Sequence, residues 1–298
     1  MNITWKATND YYHAIINERD SEQKKALYRE YFLNPWQGMM QMMKGSFGSD
    51  PDDEFGVARA WAWYLPEEMD SIPDALTKLE EADAWQIGED ALNQGVSAFD
   101  GYDLPFDTVE GWLVLGVEER NQADTDGYTG AIDFTTPRFM CQYFEPHERN
   151  INALSGAVVH ELNHLIRLRI FPWDMANTSV ADYIIHEGLA ESFATALFGE
   201  DVLGFYVTDI TDNELQTAKS LIRTNLDTTG FNVIRAYIFG DSMADNWGFE
   251  KIGMPTYGGY AVGYHVVQAF LQKTGKTIQE ATYLPASEII AESGYFDD

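Results

Sequence analysis

The side chains best suited to chemistry cluster in one short stretch, SGAVVHELNHLIRLR, Ser155–Arg169. His160 and His164 lie four positions apart, and Glu161 follows the first. On an α-helix four residues turn through about 400°, so the two imidazoles stand on successive turns of one face and can meet one zinc ion. Glu161 projects roughly 100° away, close enough to reach a water the ion would activate without binding the ion itself. That is the HExxH division of labour, two histidines to hold zinc and one carboxylate to move a proton. The competing reading is two histidines that share a helical face by accident.

A second segment favours the metal. SVADYIIHEGLAESFATALFG, Ser179–Gly199, places Glu187 and Glu191 four apart on one face, among Ile184, Leu189, Ala190, Ala194 and Leu197. Two carboxylates in an otherwise apolar helix are costly to bury unless something pairs with them. Zinc supplies the partner. Glu187 completes a set of two histidines and one glutamate, leaving a fourth position for water, and Glu191 can accept an N–H bond from a ligand histidine. His186 competes with Glu187 as third ligand. Adjacent helical residues point about 100° apart, so only one of them can face the ion. Glu187 is preferred because it shares its face with Glu191.

The elements that must position these groups follow from period and punctuation. A helix is expected over about 152–170, with Leu154, Val158, Leu162, Leu165 and Ile166 along its apolar side and Pro172 beyond its end. The second, over 179–198, has a cap at Ser179, three residues before Asp182, and a stop at Gly199. Two short helices are expected within 7–33, with a cap at Asp20-Ser21-Glu22, and further helices within 56–64 and 73–94. Between 108 and 145 the pattern changes. GWLVLGV, GYTGAIDF and RFMCQYF read as strands separated by turn signals. The acidic loops at 45–56 and 123–130 lack EF-hand spacing and read as turns. The expected fold is α+β and mainly helical, with a small mixed sheet and a helical C-terminal lobe. A helical N-terminal region, 1–95, would precede a metal-binding domain, 96–298.

Composition narrows the partners. The 298 residues carry a net charge of −29, which argues against nucleic acid and against anionic lipid, since both need a basic footprint. No apolar run is long enough for a transmembrane helix. The N-terminus, MNITWKATNDYYHAIINERD, lacks a basic segment followed by an apolar one. Cys141 is a single cysteine, so no intramolecular disulfide framework is possible. A cytoplasmic protein is expected.

Together these blocks carry a resemblance. HELNH, with Glu187 placed 23 residues after His164, looks like the gluzincin arrangement of thermolysin and the M1 aminopeptidases, whose ligand glutamate lies on a second helix. More closely, VVHELNHLIR, HEGLAESFA and GGYAVGYHVVQAFLQKTG resemble, in order, the YjaZ-like family of predicted zinc-dependent proteases, over roughly 108–298. The resemblance implies a gluzincin fold, Zn2+ at His160, His164 and Glu187, and Glu161 as general base toward a peptide or protein substrate. It also implies a tyrosine or histidine donor for the tetrahedral oxyanion. Tyr260 and Tyr264 match the family's Tyr-x-x-Gly-Tyr pattern, and His265 is a third candidate. The strand GYTGAIDF would sit where such enzymes keep an edge strand that pairs with extended peptide. With no GAMEN-type exopeptidase motif in the chain, an endopeptidase is expected. A zinc-binding regulatory or interaction protein with little turnover is the alternative. The intact Glu161 argues against it, because a structural site needs no base.

Overall fold

The computed structural model describes every residue except 47, 122, 124 and 298. Two compact units divide the chain. One comprises Met1–Gln94, Phe106–Asn121 and Thr125–Leu154, and the other chiefly Gly95–Pro105 and Ser155 onwards. The first cut falls beside the boundary read near residue 95. The sheet within 108–143 clusters with the N-terminal helices.

The first unit is built on a four-stranded mixed sheet of β1 (Asn2–Trp5), β2 (Thr108–Leu115), β3 (Tyr128–Asp133) and β4 (Arg138–Tyr143), in the order β1-β2-β4-β3. β1 runs parallel to β2 and β2 to β4, whereas β3 returns antiparallel along β4 and occupies an edge. The three strands expected from 108 onwards are present. β1 was not foreseen, because a run of four residues shows no period.

Around the sheet stand α1 (Thr8–Asn17), α2 (Ser21–Tyr28), α3 (Gln37–Met43), α4 (Gly56–Ala60), α5 (Pro73–Glu81), α6 (Ala84–Ser97) and α7 (Glu148–Asn152). Asp20 caps α2, accepting from the backbone N–H of Gln23. The core of this unit is aromatic, with Tyr12, Tyr28, Phe32, Trp36, Trp63 and Trp112 all nearly inaccessible. Glu54 and Asp53, from the acidic loop, pair with Arg29 and Arg59.

The second unit is helical. α8 (Leu154–Ile170) and α9 (Val180–Phe198) are followed by α10 (Phe205–Thr208), α11 (Asp212–Arg223), α12 (Phe231–Phe239), α13 (Ala244–Trp247), α14 (Gly258–Thr274), α15 (Ile278–Thr282) and α16 (Ala286–Ser293). Ser179 caps α9 through a reciprocal bond with Asp182, and Gly199 ends it at a φ of 83°. α9 is the central helix, buried without interruption from Ile184 to Ala194. It packs most extensively on α14, where Gly188 and Gly263 allow the backbones to touch. A Cβ on Gly188 would collide with the carbonyl of Gly263, and one on Gly263 with the carbonyl of Ile184. Gly259 allows a similar approach to Tyr237 and Ile238 on α12. No helix among the described residues is long and apolar enough to cross a membrane.

Candidate metal centre

α8 is inaccessible along most of its length, and its polar residues are buried with its apolar ones: His160, Glu161, Asn163, His164 and Arg167 are all under a tenth exposed. Burying polar groups on such a helix is costly unless they are paired. Arg167 donates to the carbonyls of Thr282 and Leu284, each at 2.9 Å, and Asn163 donates to Thr282 Oγ1 at 3.1 Å. The two histidines turn to α9.

There the Nε2 atoms of both histidines converge on one oxygen. Glu187 Oε2 lies 3.1 Å from Nε2 of His164 and 3.4 Å from Nε2 of His160. In a tetrahedral zinc shell with bonds near 2.0–2.1 Å, neighbouring donor atoms stand roughly 3.3 Å apart. The three donors are of types zinc accepts, and the two separations from Glu187 Oε2 to the histidine nitrogens match that spacing, so the residues fit the ion. Glu161 is a second carboxylate close by, its ligand atom and those of His160 and His164 lying within 4.8 Å of one another.

The two carboxylates differ in electrostatic state. Burial pushes Glu187 up, but the neighbouring His164 and hydrogen bonds to both histidines outweigh it and hold the group well below the usual carboxylate range. Burial lifts Glu161 above its ordinary value, against the pull of His164 and His160, and Glu187 adds to the rise. Its carboxylate makes no hydrogen bond with any described residue. Glu187 is therefore the settled anion, and Glu161 the carboxylate with the greater affinity for a proton. Burial disfavours charge on His160, yet its bonds to Glu187 and Glu191 raise it to about 10.

Glu191, one turn beyond Glu187, holds His160 from the other side. Its Oε2 accepts from Nδ1 of His160 at 3.1 Å and from the Tyr206 hydroxyl at 2.7 Å, while Oε1 accepts from the Gly204 N–H at 2.5 Å. This aims Nε2 of His160 at Glu187. His164 is held differently. Its Nδ1 has no partner among the described residues, and its ring stacks on His186 at 4.0 Å between centroids, 18° from parallel. Burial, then His164, keeps His186 well below its ordinary value, so it packs as a neutral ring.

The three oxyanion candidates separate. Tyr260 lies near the histidine face, its ring 4.7 Å from that of Tyr206, and its phenol is raised well above the ordinary value by burial, then by Glu187. Tyr264 is turned toward Thr195 and Glu200, and His265 toward Tyr264 and Tyr295. Three tyrosines escaped the sequence reading. Tyr206 reaches Glu191, Tyr257 begins α14 at a φ of 52°, in the left-handed region, and Tyr183 is raised by burial and then by Glu187. Only Tyr183 had a visible signal, its place four residues before Glu187 on the same face.

The chain is mainly helical and α+β, and its central helices bury two histidines beside a carboxylate, a donor set that could hold a metal ion. Residues 84–291 match the family described as Predicted Zn-dependent protease (DUF2268), and the chain belongs to that family. It is similar to the uncharacterized protein YjfC of Bacillus subtilis (strain 168), 29% identical over 300 residues that cover 99% of each chain. It is also similar to the uncharacterized protein YjaZ of the same organism, 25% identical over 181 residues, 60% of this chain and 65% of that one. No solved structure matches significantly.

Proposed function

We propose that the protein is a zinc metallopeptidase of the gluzincin type, an endopeptidase acting on peptide or protein substrates in the cytoplasm. Residues 96–298 of this reading carry the catalytic domain. The observation that supports it most is the convergence of both Nε2 atoms on Glu187 Oε2, at 3.1 and 3.4 Å.

In this reading His160, His164 and Glu187 hold the ion, and Glu191, braced by Tyr206 and Gly204, orients His160. Zinc bound there supplies Lewis acidity, polarising a carbonyl and acidifying water. Glu161 takes a proton from the attacking water and delivers it to the leaving amine. Its raised proton affinity suits both halves of that transfer. Tyr260 stays protonated beside Glu187 and donates its O–H to the oxyanion as the carbonyl becomes tetrahedral. His186 packs against His164 and holds that ring in place.

Hydrolysis of a casein substrate or fluorogenic peptide library, in zinc-loaded and chelated protein, tests the assignment. Glu161→Gln is expected to keep zinc and to lose about 10²–10⁴-fold in kcat. His164→Ala is expected to lose both. A Glu161→Gln protein with full peptidase activity would falsify the assigned base. Zinc retained with no hydrolysis by the unmodified chain would favour the regulatory reading.

A further inference from the structure

Acidic residues outnumber basic ones 48 to 19 in this chain, yet two buried arginines, Arg167 and Arg235, have no carboxylate partner among the described residues, and only Arg167 has carbonyls in its place. Arg235, on α12, is 9% exposed. Its guanidinium packs over two aromatic rings, 5.0 Å from the Phe231 ring centre and 5.4 Å from that of Phe249. One weak acceptor reaches it, the amide oxygen of Asn232 at 3.1 Å from Nη2, and its buried Nε has no partner. Arg120 also leaves its Nε unpartnered but forms a two-pronged pair with Glu68, Arg138 pairs with Glu110, and Arg167 donates to two carbonyls, so each has a strong acceptor that Arg235 lacks. A buried guanidinium costs free energy unless its fork is satisfied, and packing over ring faces leaves its in-plane N–H groups for a planar anion.

Its place in the fold joins it to the metal centre. Phe231, Arg235 and Phe239 recur every four residues along one face of α12. The Phe239 ring lies 5.9 Å from Tyr183 and 6.0 Å from Tyr260. Phe231 lies 6.0 Å from Trp173, which packs at 4.8 Å on Tyr183. Both ends of the stripe thus close on Tyr183, one turn before Glu187 on α9. Arg235 also acts electrostatically on the Tyr183 phenol.

We propose that Arg235 is the anchor of a substrate subsite beside the metal centre and selects peptides by a carboxylate, either an Asp or Glu side chain or the free C-terminus. This rests on the peptidase reading and names its substrate class. Phe231 and Phe249 hold the guanidinium plane, and its N–H edge grips the carboxylate as a fork. A Lys at this position would keep the charge and lose the fork.

Binding, not turnover, tests the subsite. Zinc-loaded Glu161→Gln protein is titrated calorimetrically with acetyl-Ala-Ala-Phe-Ala-Ala bearing a free C-terminal carboxylate, with its C-terminal amide, and with the amide in which one alanine after phenylalanine is glutamate. At least one carboxylate probe is expected to bind about ten- to hundred-fold more tightly than the plain amide. Preference for the free acid assigns a C-terminal carboxylate, and preference for the glutamate peptide an acidic side chain. Adding Arg235→Gln is expected to erase that preference while leaving amide affinity in place, and adding Arg235→Lys to reduce it. Circular dichroism confirms that each variant is folded, and the Lys variant decides if the Gln variant is not. Equal affinity for all three probes, no binding of any, or a preference that survives loss of the guanidinium overturns the proposal. Casein hydrolysis by the unmodified chain, measured separately, shows whether the peptidase reading fails with it.

Discussion

At the scale of residues, the centre is a set of inequivalent carboxylates made distinct by their surroundings. Glu187 faces two histidines and stays ionised, Glu161 faces fewer compensating groups and binds its proton more strongly, and Glu191 is spent on His160, Tyr206 and Gly204. The same spread applies to the tyrosines, of which Tyr260 has its phenol under the influence of Glu187 and Glu161. Tyr260→Phe is expected to lower kcat by about 10²–10³-fold with zinc content unchanged, as for loss of one oxyanion donor. Tyr264→Phe and His265→Ala are expected to leave kcat near that of the unmodified enzyme. Steady-state kinetics with metal analysis on the same samples checks all three. Comparable losses from Tyr264→Phe and Tyr260→Phe would contradict the assignment.

At the scale of elements, the site depends on how closely α9 and α14 approach. Gly188 and Gly263 let the two backbones meet, and α14 is the helix that carries Tyr260. Gly263→Ala is expected to lower the unfolding free energy by about 1–3 kcal/mol, since its Cβ meets the fixed carbonyl of Ile184. It should also lower kcat, because the helix that carries Tyr260 must move. Ser179→Ala removes the α9 cap and is expected to cost about 1 kcal/mol without that loss of kcat. Urea titration beside kinetics separates them. A Gly263→Ala protein as stable and as active as the parent would show that the approach is unimportant.

At the scale of the whole molecule, the proposed metal site would couple to the fold: His160 and His164 pair with buried glutamates, and zinc at His160 would compete with a proton. His160 is raised from 6.5 to about 10 by its bonds to Glu187 and Glu191. Its contribution to stability is therefore complete below about pH 6.5 and is lost as pH rises toward about 10. Glu187 is depressed, so its contribution holds above its ordinary value and is lost only as pH falls well below it. The metal-free chain is expected to lose stability between about pH 6.5 and pH 10, and the zinc-loaded chain to resist that loss. Zinc at a thousandfold over its Kd should add about 4 kcal/mol. Urea midpoints across that pH range, with and without chelator, test this, and parallel curves would contradict it.

The sequence by itself determined the two helices, the cap and stop of the second, and the four-residue pairings His160/His164 and Glu187/Glu191, because helical geometry turns spacing into a shared face. It also marked the strands of 108–145. It could not find β1, whose four residues gain identity only by pairing with β2. Nor could it choose among Tyr260, Tyr264 and His265, since i, i+4 and i+5 on α14 differ only in which neighbour each meets. Tertiary structure gives the three different surroundings, and it alone brought in Tyr206 and Arg235, from segments with no motif. Their roles depend on contacts 15 residues away in the case of Tyr206 and Glu191, and across several helices for Arg235 and Tyr183. Local periodicity carries no information about such meetings, which burial and packing fix only when the chain has folded.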